Sequence, residues 1–134
     1  MHRKYIATGI LCCGLAVALG AFGAHGLQKL TTDEKILNGY HTGVQYQFWH
    51  GLALILTGIL FPAGFSGKRI RWAATCFFTG ILFFSGSLYL LTFLKINNSG
   101  MTRVIGPVTP AGGILFIAGW LLLLAAVMNK KEAS

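Results

Sequence analysis

Four long apolar runs alternate with short polar segments along the chain, and this pattern predicts the secondary structure. We predict membrane-spanning helices at residues 5–27, 46–64, 72–94 and 108–128. A helix rises 1.5 Å per residue, so about 20 apolar residues cross the roughly 30 Å hydrocarbon core of a bilayer. The pattern therefore predicts an all-α integral membrane protein, a single domain in which four helices form an up-down bundle.

The first apolar run has a second interpretation, as the core of a cleaved signal peptide. The basic start at Arg3 and Lys4 and the triplet Ala16-Val17-Ala18 are typical of such a peptide. The run has no Asp, Glu, Lys or Arg from residue 5 to residue 27, and it continues well past the triplet. This length favours a retained span.

Small and rigid residues near two of the spans are predicted to serve helix packing. In lipid, helices associate where small side chains let two backbones approach closely. A stripe in the first span recurs every fourth residue, and the fourth span begins with a glycine and two prolines that could cap the bundle or dip into it. The predicted packing residues are Cys12, Ala16, Gly20, Gly23, Ala24, Gly106, Pro107 and Pro110.

The polar connections contain recognisable helix and turn signals. Thr31 and Glu34 have the spacing of a capping box, which predicts a short helix from Thr31 along the membrane surface. Pro62 and Gly64 are expected to end the second span. The segment Asn97-Asn98-Ser99-Gly100 predicts a turn after the third.

Composition supports the membrane assignment and bears on orientation. Only 10% of residues are charged, against about 25% in soluble domains. The net charge is +8, but its cations sit in short clusters between apolar runs, so we expect no nucleic-acid partner. More Lys and Arg lie in the N-terminus, second connection and tail than in the other two connections. The positive-inside rule therefore predicts cytoplasmic termini and a multi-pass protein of the cell inner membrane.

Three segments carry a resemblance to a known family. They read Gly20-Ala21-Phe22-Gly23-Ala24-His25-Gly26-Leu27, then Tyr46-Gln47-Phe48-Trp49-His50, then Gly106-Pro107-Val108-Thr109-Pro110-Ala111-Gly112-Gly113. In this order they resemble the small bacterial inner-membrane proteins grouped as domain of unknown function 423. The resemblance covers nearly the whole chain. It implies four helices in the inner membrane and implies no biochemical activity.

Polar side chains near two span ends form the candidate binding site. His25 ends the first predicted span and His50 lies about one turn inside the second, so both are expected at one membrane edge. A quinone, lipid or haem could bind there, while histidines bonded to backbone or glutamine between helices are the competing interpretation. The cysteines lie inside apolar runs, so we predict no metal site; the cofactor is left unknown. The candidate ligand-binding residues are His25, Gln45, Tyr46, Gln47, Trp49 and His50.

The sequence favours a non-catalytic role. The leading hypothesis is an accessory or interaction component, or a homo-oligomer, because of the small-residue stripe and the mid-span Trp120. Binding of an amphipathic ligand is the alternative. A transporter or pore is less favoured, because no span contains Asp, Glu, Lys or Arg. The chain has no paired carboxylates and no nucleophile–base spacing, so we do not predict an enzyme.

Overall fold

The computed structural model describes residues 2–129, which form helices and turns without any strand. The all-α prediction is confirmed for this part of the chain. The helices are α1 (His2–His25), α2 (Glu34–Leu60), α3 (Gly67–Gly80), α4 (Gly86–Ile96), α5 (Thr102–Ile105) and α6 (Val108–Met128), with a 3₁₀ turn at Leu27–Lys29 and a π-helical turn at Ile81–Ser85.

Within residues 2–129, three helical stretches are long and apolar enough to cross a membrane: His2–Lys29, Gly67–Ile96 and Thr102–Met128. The 27-residue helix α2 has the length but is not among them. Its middle carries Gln45, Gln47 and His50, which lower its apolar character. The four-span arrangement therefore stays a prediction for α2.

The start of α2 corrects the predicted helix boundaries. The N-cap is Asp33, whose side chain accepts a hydrogen bond from the Lys35 amide at 2.9 Å, whereas the hydroxyl of Thr31 accepts one from the Asp33 amide at 3.2 Å. The predicted surface helix at Thr31 and the predicted span from residue 46 are one continuous helix. The two glycines in its first turns do not break it, and one of them, Gly43, is buried against Tyr89.

Helices α1 and α2 run antiparallel and in close contact. A Cβ placed on Gly9 would lie 2.5 Å from the carbonyl oxygen of Gly51, and one on Gly58 would lie 2.5 Å from Cγ1 of Ile6. Towards the other end of the pair, a Cβ on Gly23 would lie 2.6 Å from the Tyr40 ring. Glycine at these three positions lets the two backbones approach.

The predicted small-residue stripe of α1 follows this contact only in part. Cys12, Ala16 and Gly23 are buried, and Val44 lies 3.4 Å from a Cβ built on Gly20. Ala24, in contrast, is exposed. Steps of four residues drift about 40° around a helix with 3.6 residues per turn, so the contact line moves from Ala24 to Gly23.

Helices α3 and α6 also run antiparallel, and each presents a phenylalanine three residues before a glycine. The Phe116 ring lies 2.6 Å from a Cβ built on Gly80, and the Phe77 ring lies 2.7 Å from one built on Gly119. Each ring therefore rests on the other helix's glycine. Near the end of this pair, the Arg69 guanidinium donates to the Ala125 carbonyl at 3.0 Å.

A π-helical turn joins α3 to α4 within one long helical stretch. The Gly86 amide donates to the Ile81 carbonyl, five residues back. In this turn the buried Ser85 hydroxyl donates to the Gly43 carbonyl of α2 at 2.6 Å. The extra residue of the turn shifts the register of α4 against α3.

The turn signals after the third span and before α6 lie at the ends of the helices. Asn98 has φ 50°, a left-handed conformation, and the Ser99 amide donates to the Leu94 carbonyl at 2.9 Å. This is a Schellman cap in which Asn takes the place of Gly, as the turn prediction allows. Further along, the exposed Pro107 caps α6, and a Cβ on Gly106 would meet only the Thr102 carbonyl within its own turn.

Candidate functional site

The most distinctive polar contact of the structure lies in the middle of the helices, where α2 faces α6. His50 is 16 residues from the start of α2, about 24 Å along its axis. Trp120 lies near the middle of the 21-residue α6. The Trp120 indole N–H donates to Nε2 of His50 at 3.1 Å. This bond links two helices through residues that are 70 positions apart in the sequence.

The hydrogen bonds of His50 fix its protonation state. An indole N–H is only a donor, so Nε2 must supply a lone pair. Nδ1 lies 2.8 Å from the Tyr46 carbonyl oxygen, which is only an acceptor, so Nδ1 carries the proton. The imidazole is therefore neutral, and both ring nitrogens are engaged. The side chain is 5% exposed.

Aromatic rings enclose the imidazole. It stacks on Phe116 with ring centroids 3.5 Å apart and planes 11° apart. On its other sides lie Tyr46, with centroids 5.8 Å away, and Phe77, 5.7 Å away. The Tyr46 and Phe84 ring centroids are 4.5 Å apart, which continues the cluster towards the π-helical turn. The cluster fills the space between α2 and α6 with rings rather than close backbone contact.

An open groove of about 420 Å³ runs beside this cluster. Its wall is apolar except for the His50–Trp120 pair and the Tyr46 ring. Trp120 is 45% exposed, so one face of the indole forms part of the protein's outer surface. The lining residues are Tyr46, His50, Phe84, Pro110, Gly113, Ile114, Phe116, Ile117 and Trp120.

A second set of polar contacts, centred on Gln47, joins α2 to α1 and α4. Gln47 donates through Nε2 to the Cys12 carbonyl at 2.9 Å, and its Oε1 accepts from the Tyr89 hydroxyl at 2.7 Å. The Tyr40 hydroxyl donates to the Leu19 carbonyl at 2.7 Å. Among residues 2–129, no buried side-chain nitrogen or oxygen is left without a partner.

The structure separates the residues of the predicted binding site. His50 lies level with Gly9 to Cys13 of α1, because Gly51 faces Gly9 and the Cys13 thiol donates to the Phe48 carbonyl. His25 is exposed at the end of α1, 13 residues from Cys12 and therefore about 20 Å further along the helix. The two histidines do not share an edge. The longer α2 explains this, since it places His50 mid-helix rather than one turn inside.

The remaining candidate residues point in different directions. Gln47 and His50 are buried between helices and Tyr46 is half-buried, whereas Gln45 and Trp49 are exposed on the outer face of α2. Sequence reasoning placed Trp120 inside the span but did not identify its partner. Sequence reasoning also missed the interhelical hydrogen bonds of Tyr40, Ser85 and Tyr89. The sequence could have indicated them only through the presence of a hydroxyl group within an apolar or helical stretch.

The described residues around His50 and Trp120 do not form a set of metal or haem ligands. No three His, Cys, Asp or Glu residues between 2 and 129 lie close enough to hold a metal ion. An axial haem ligand needs a free imidazole lone pair, and that of His50 accepts the Trp120 N–H. His50 therefore has no free lone pair for coordination, and the contacts within the cluster are ring stacking and hydrogen bonds.

Residues 2–129 are all-helical, include three helices apolar enough to cross a bilayer and leave no buried side-chain nitrogen or oxygen unbonded, which places the chain in the class of small membrane proteins. The comparisons with known proteins agree. Residues 19–113 match the model of the family described as "Protein of unknown function (DUF423)", and the chain belongs to this family. The resemblance seen in the sequence is confirmed.

Several bacterial relatives match almost end to end. The UPF0382 membrane protein SH2409 of Staphylococcus haemolyticus is 43% identical over 127 residues, which are 95% of this chain and 97% of the relative. The UPF0382 membrane protein YwdK of Bacillus subtilis is 39% identical over 127 residues, covering 95% and 98% of the two chains. No solved structure matches the chain.

Proposed function

We propose that the chain is a non-catalytic, multi-pass component of the inner (cytoplasmic) membrane, acting as an accessory or interaction subunit or as a homo-oligomer. The observation that carries this proposal is the state of the interior polar groups. His50, Gln47 and Tyr89 are each bonded to another group of the chain. A proton or ion relay passes between neighbouring ionisable side chains, and the partners of these three groups are backbone carbonyls, the Trp120 indole and, for Gln47 and Tyr89, one another.

The proposal includes a four-helix up-down bundle with both termini in the cytoplasm. Tyr5 packs on Phe61 and Arg69 bonds Ala125, so the start of α1, the α2–α3 turn and the end of α6 lie at one end. Among residues 2–129 this end carries five Lys and Arg and the opposite end carries four, and the positive-inside rule counts these cations rather than the net charge. Cations at the first end are Arg3, Lys4, Lys68, Arg69 and Arg71; charges at the opposite end are Lys29, Lys35, Lys95, Arg103, Asp33 and Glu34. The positive-inside rule supports cytoplasmic placement of the first end.

Cysteine labelling tests this topology. Two single-cysteine variants are made in a background in which the three native cysteines are replaced. Ala63→Cys places its thiol at an exposed position on the first end, and Asn97→Cys places its thiol at an exposed position on the opposite end. A membrane-impermeant maleimide added to intact protoplasts should label position 97 and not position 63. Labelling at both positions, or at 63 alone, contradicts the proposed orientation.

The association surface in this proposal is the outward face of α1. This helix packs mainly against α2, and its outer side exposes Ile10, Leu15 and Val17 around Gly14. A Cβ on Gly14 would meet nothing within 4 Å, so Gly14→Leu leaves the monomer's packing intact but enlarges the surface. In mild detergent, wild-type protein should run as an oligomer or with a co-purifying protein, and Gly14→Leu should release it. A monodisperse wild-type monomer without a partner contradicts the association role.

The groove beside Trp120 supports a second candidate function, binding of a quinone or lipid from the bilayer. It replaces the His25/His50 edge as the place for such a ligand, because about 420 Å³ of open space borders exposed aromatic rings there. Ile114 is 67% exposed and lines the groove, so Ile114→Trp should fill it. Leu121→Trp, exposed on the same helix outside the groove lining, is the matched control.

An absorption spectrum and a mass analysis of lipid extracts test this second function. A stoichiometric quinone or a single lipid species should be present in wild type and Leu121→Trp and absent from Ile114→Trp. Only bulk lipid in all three proteins contradicts it. A haem Soret band in purified protein would contradict the assignment of both His50 nitrogens to hydrogen bonds.

A further inference from the structure

We propose that the cavity between the start of α3 and the end of α6 binds the phosphate headgroup of an anionic phospholipid. The cavity measures about 650 Å³, within the range of about 300–1,000 Å³ usual for small-molecule sites. Its lining residues are Gly64, Phe65, Ser66, Lys68, Arg69, Trp72, Leu122 and Asn129. This site is separate from the Trp120 groove and does not depend on the accessory role.

The charge of the cavity selects an anion. Lys68 and Arg69 both line it, and the lining has no carboxylate from the described residues 2–129. The two carboxylates of the described chain, Asp33 and Glu34, line or adjoin the loop region at the opposite end of the helices. A phosphate here would meet the positive charge of Lys68 and Arg69, and no acidic side chain among residues 2–129 lines the cavity to neutralise it.

Arg69 is held in place as a phosphate ligand. One N–H group of its guanidinium donates to the Ala125 carbonyl at 3.0 Å, in the last turns of α6. Arginine carries five N–H donors in a planar fork, and one bond leaves the others available to a phosphate oxygen. Lys68 adds a mobile ammonium, and Ser66 adds a hydroxyl that makes no cap bond to the helix.

The position of the cavity favours a lipid phosphate over a soluble anion. It lies where the apolar stretch Gly67–Ile96 begins and the apolar stretch Thr102–Met128 ends. In a membrane-spanning helix these ends lie at the depth of the lipid headgroups. Trp72 is 56% exposed beside it, and indole rings concentrate at this interface. Leu122 and Trp72 form an apolar side along which acyl chains can lie while the phosphate contacts Lys68 and Arg69.

Native mass spectrometry of the full chain in neutral detergent tests the proposal. The probes are dioleoyl phosphatidylglycerol and dioleoyl phosphatidylcholine, added separately. The variant is Lys68→Gln and its matched control is Arg71→Gln, which removes the same charge from an exposed position on the same helical turn outside the cavity. Circular dichroism first confirms that both variants are folded.

Wild type and Arg71→Gln should retain phosphatidylglycerol in preference to phosphatidylcholine. Lys68→Gln should retain about fivefold less, the factor that corresponds to losing one exposed ion pair of about 1 kcal/mol. Arg69→Lys gives an independent measurement, since it keeps the charge but loses the fork and should also reduce the preference. Equal losses in Lys68→Gln and Arg71→Gln, or no headgroup preference in wild type, overturn the site.

A competition arm separates a lipid headgroup from a free anion. Millimolar inorganic phosphate should leave phosphatidylglycerol retention unchanged, because the acyl chains along Trp72 and Leu122 contribute to binding. Displacement of the lipid by inorganic phosphate would overturn the lipid assignment and identify the cavity as a soluble-anion site.

Discussion

Trp120 donates its indole N–H to Nε2 of His50 at 3.1 Å, which joins α6 to α2 across the middle of the helices. The same imidazole is bonded at Nδ1 to the Tyr46 carbonyl and stacks on Phe116. The His50 side chain therefore bridges α2 and α6 at a level where the two backbones are not in close contact.

Trp120→Phe should destabilise the protein by about 0.5–2 kcal/mol, because it keeps the ring but removes the donor to His50. Trp49→Phe is the control, since the exposed Trp49 indole makes no hydrogen bond to the described residues. Thermal unfolding of both variants in one detergent measures the difference. Equal melting temperatures would show that the Trp120–His50 bond does not contribute to stability.

Gln47→Leu should destabilise the protein by about 1–3 kcal/mol, because the half-buried Tyr89 hydroxyl and the Cys12 carbonyl lose their partner. Gln45→Leu makes the same chemical change two residues away, on the exposed face of α2, and should leave stability within about 0.5 kcal/mol. Unfolding by a denaturing detergent at increasing mole fraction compares the two. A larger effect at Gln45 would mean that the outer face of α2 is buried by a partner.

Gly9→Ala should destabilise the α1–α2 pair by about 1–3 kcal/mol, because its Cβ would lie 2.5 Å from the Gly51 carbonyl oxygen. The backbone atoms cannot yield without separating the helices. Gly14→Ala, on the same helix with open space around it, should be neutral or slightly stabilising. Thermal unfolding of the two variants measures this difference in stability. A Gly9→Ala variant as stable as the wild type would contradict the close approach of α1 and α2.

Gly119→Ala should loosen the α3–α6 pair, because its Cβ would lie 2.7 Å from the Phe77 ring. We expect a loss of about 1–3 kcal/mol and a shift of Phe77 against Trp120, whose ring centroids are 4.9 Å apart. Tryptophan emission and thermal unfolding follow both effects. Gly113→Ala is the control on the same helix, since its nearest neighbour, Phe84, is 3.8 Å away. Similar losses from both substitutions would contradict the specific contact with Phe77.

Local features of this fold could be predicted from the sequence because they depend on neighbours along the chain. The apolar runs predicted helices long enough to cross a bilayer, and Asn98 predicted a turn that the structure builds with φ 50°. The predicted start of the second helix was wrong. The spacing of Thr31 and Glu34 fits a cap, but Asp33 accepts the Lys35 amide, and nothing from Glu34 to Leu60 stops the helix.

The tertiary structure alone decided which polar residues meet. An apolar, helical chain could be predicted from the residues alone, because side-chain hydrophobicity and helix geometry act within a few residues. The predicted site grouped His25 with His50, whereas the structure pairs His50 with Trp120, 70 residues away in the chain. Such a contact depends on how the helices are registered, and that register follows from close packing at Gly9 and Gly51 and between Phe116 and Gly80, which no local pattern encodes.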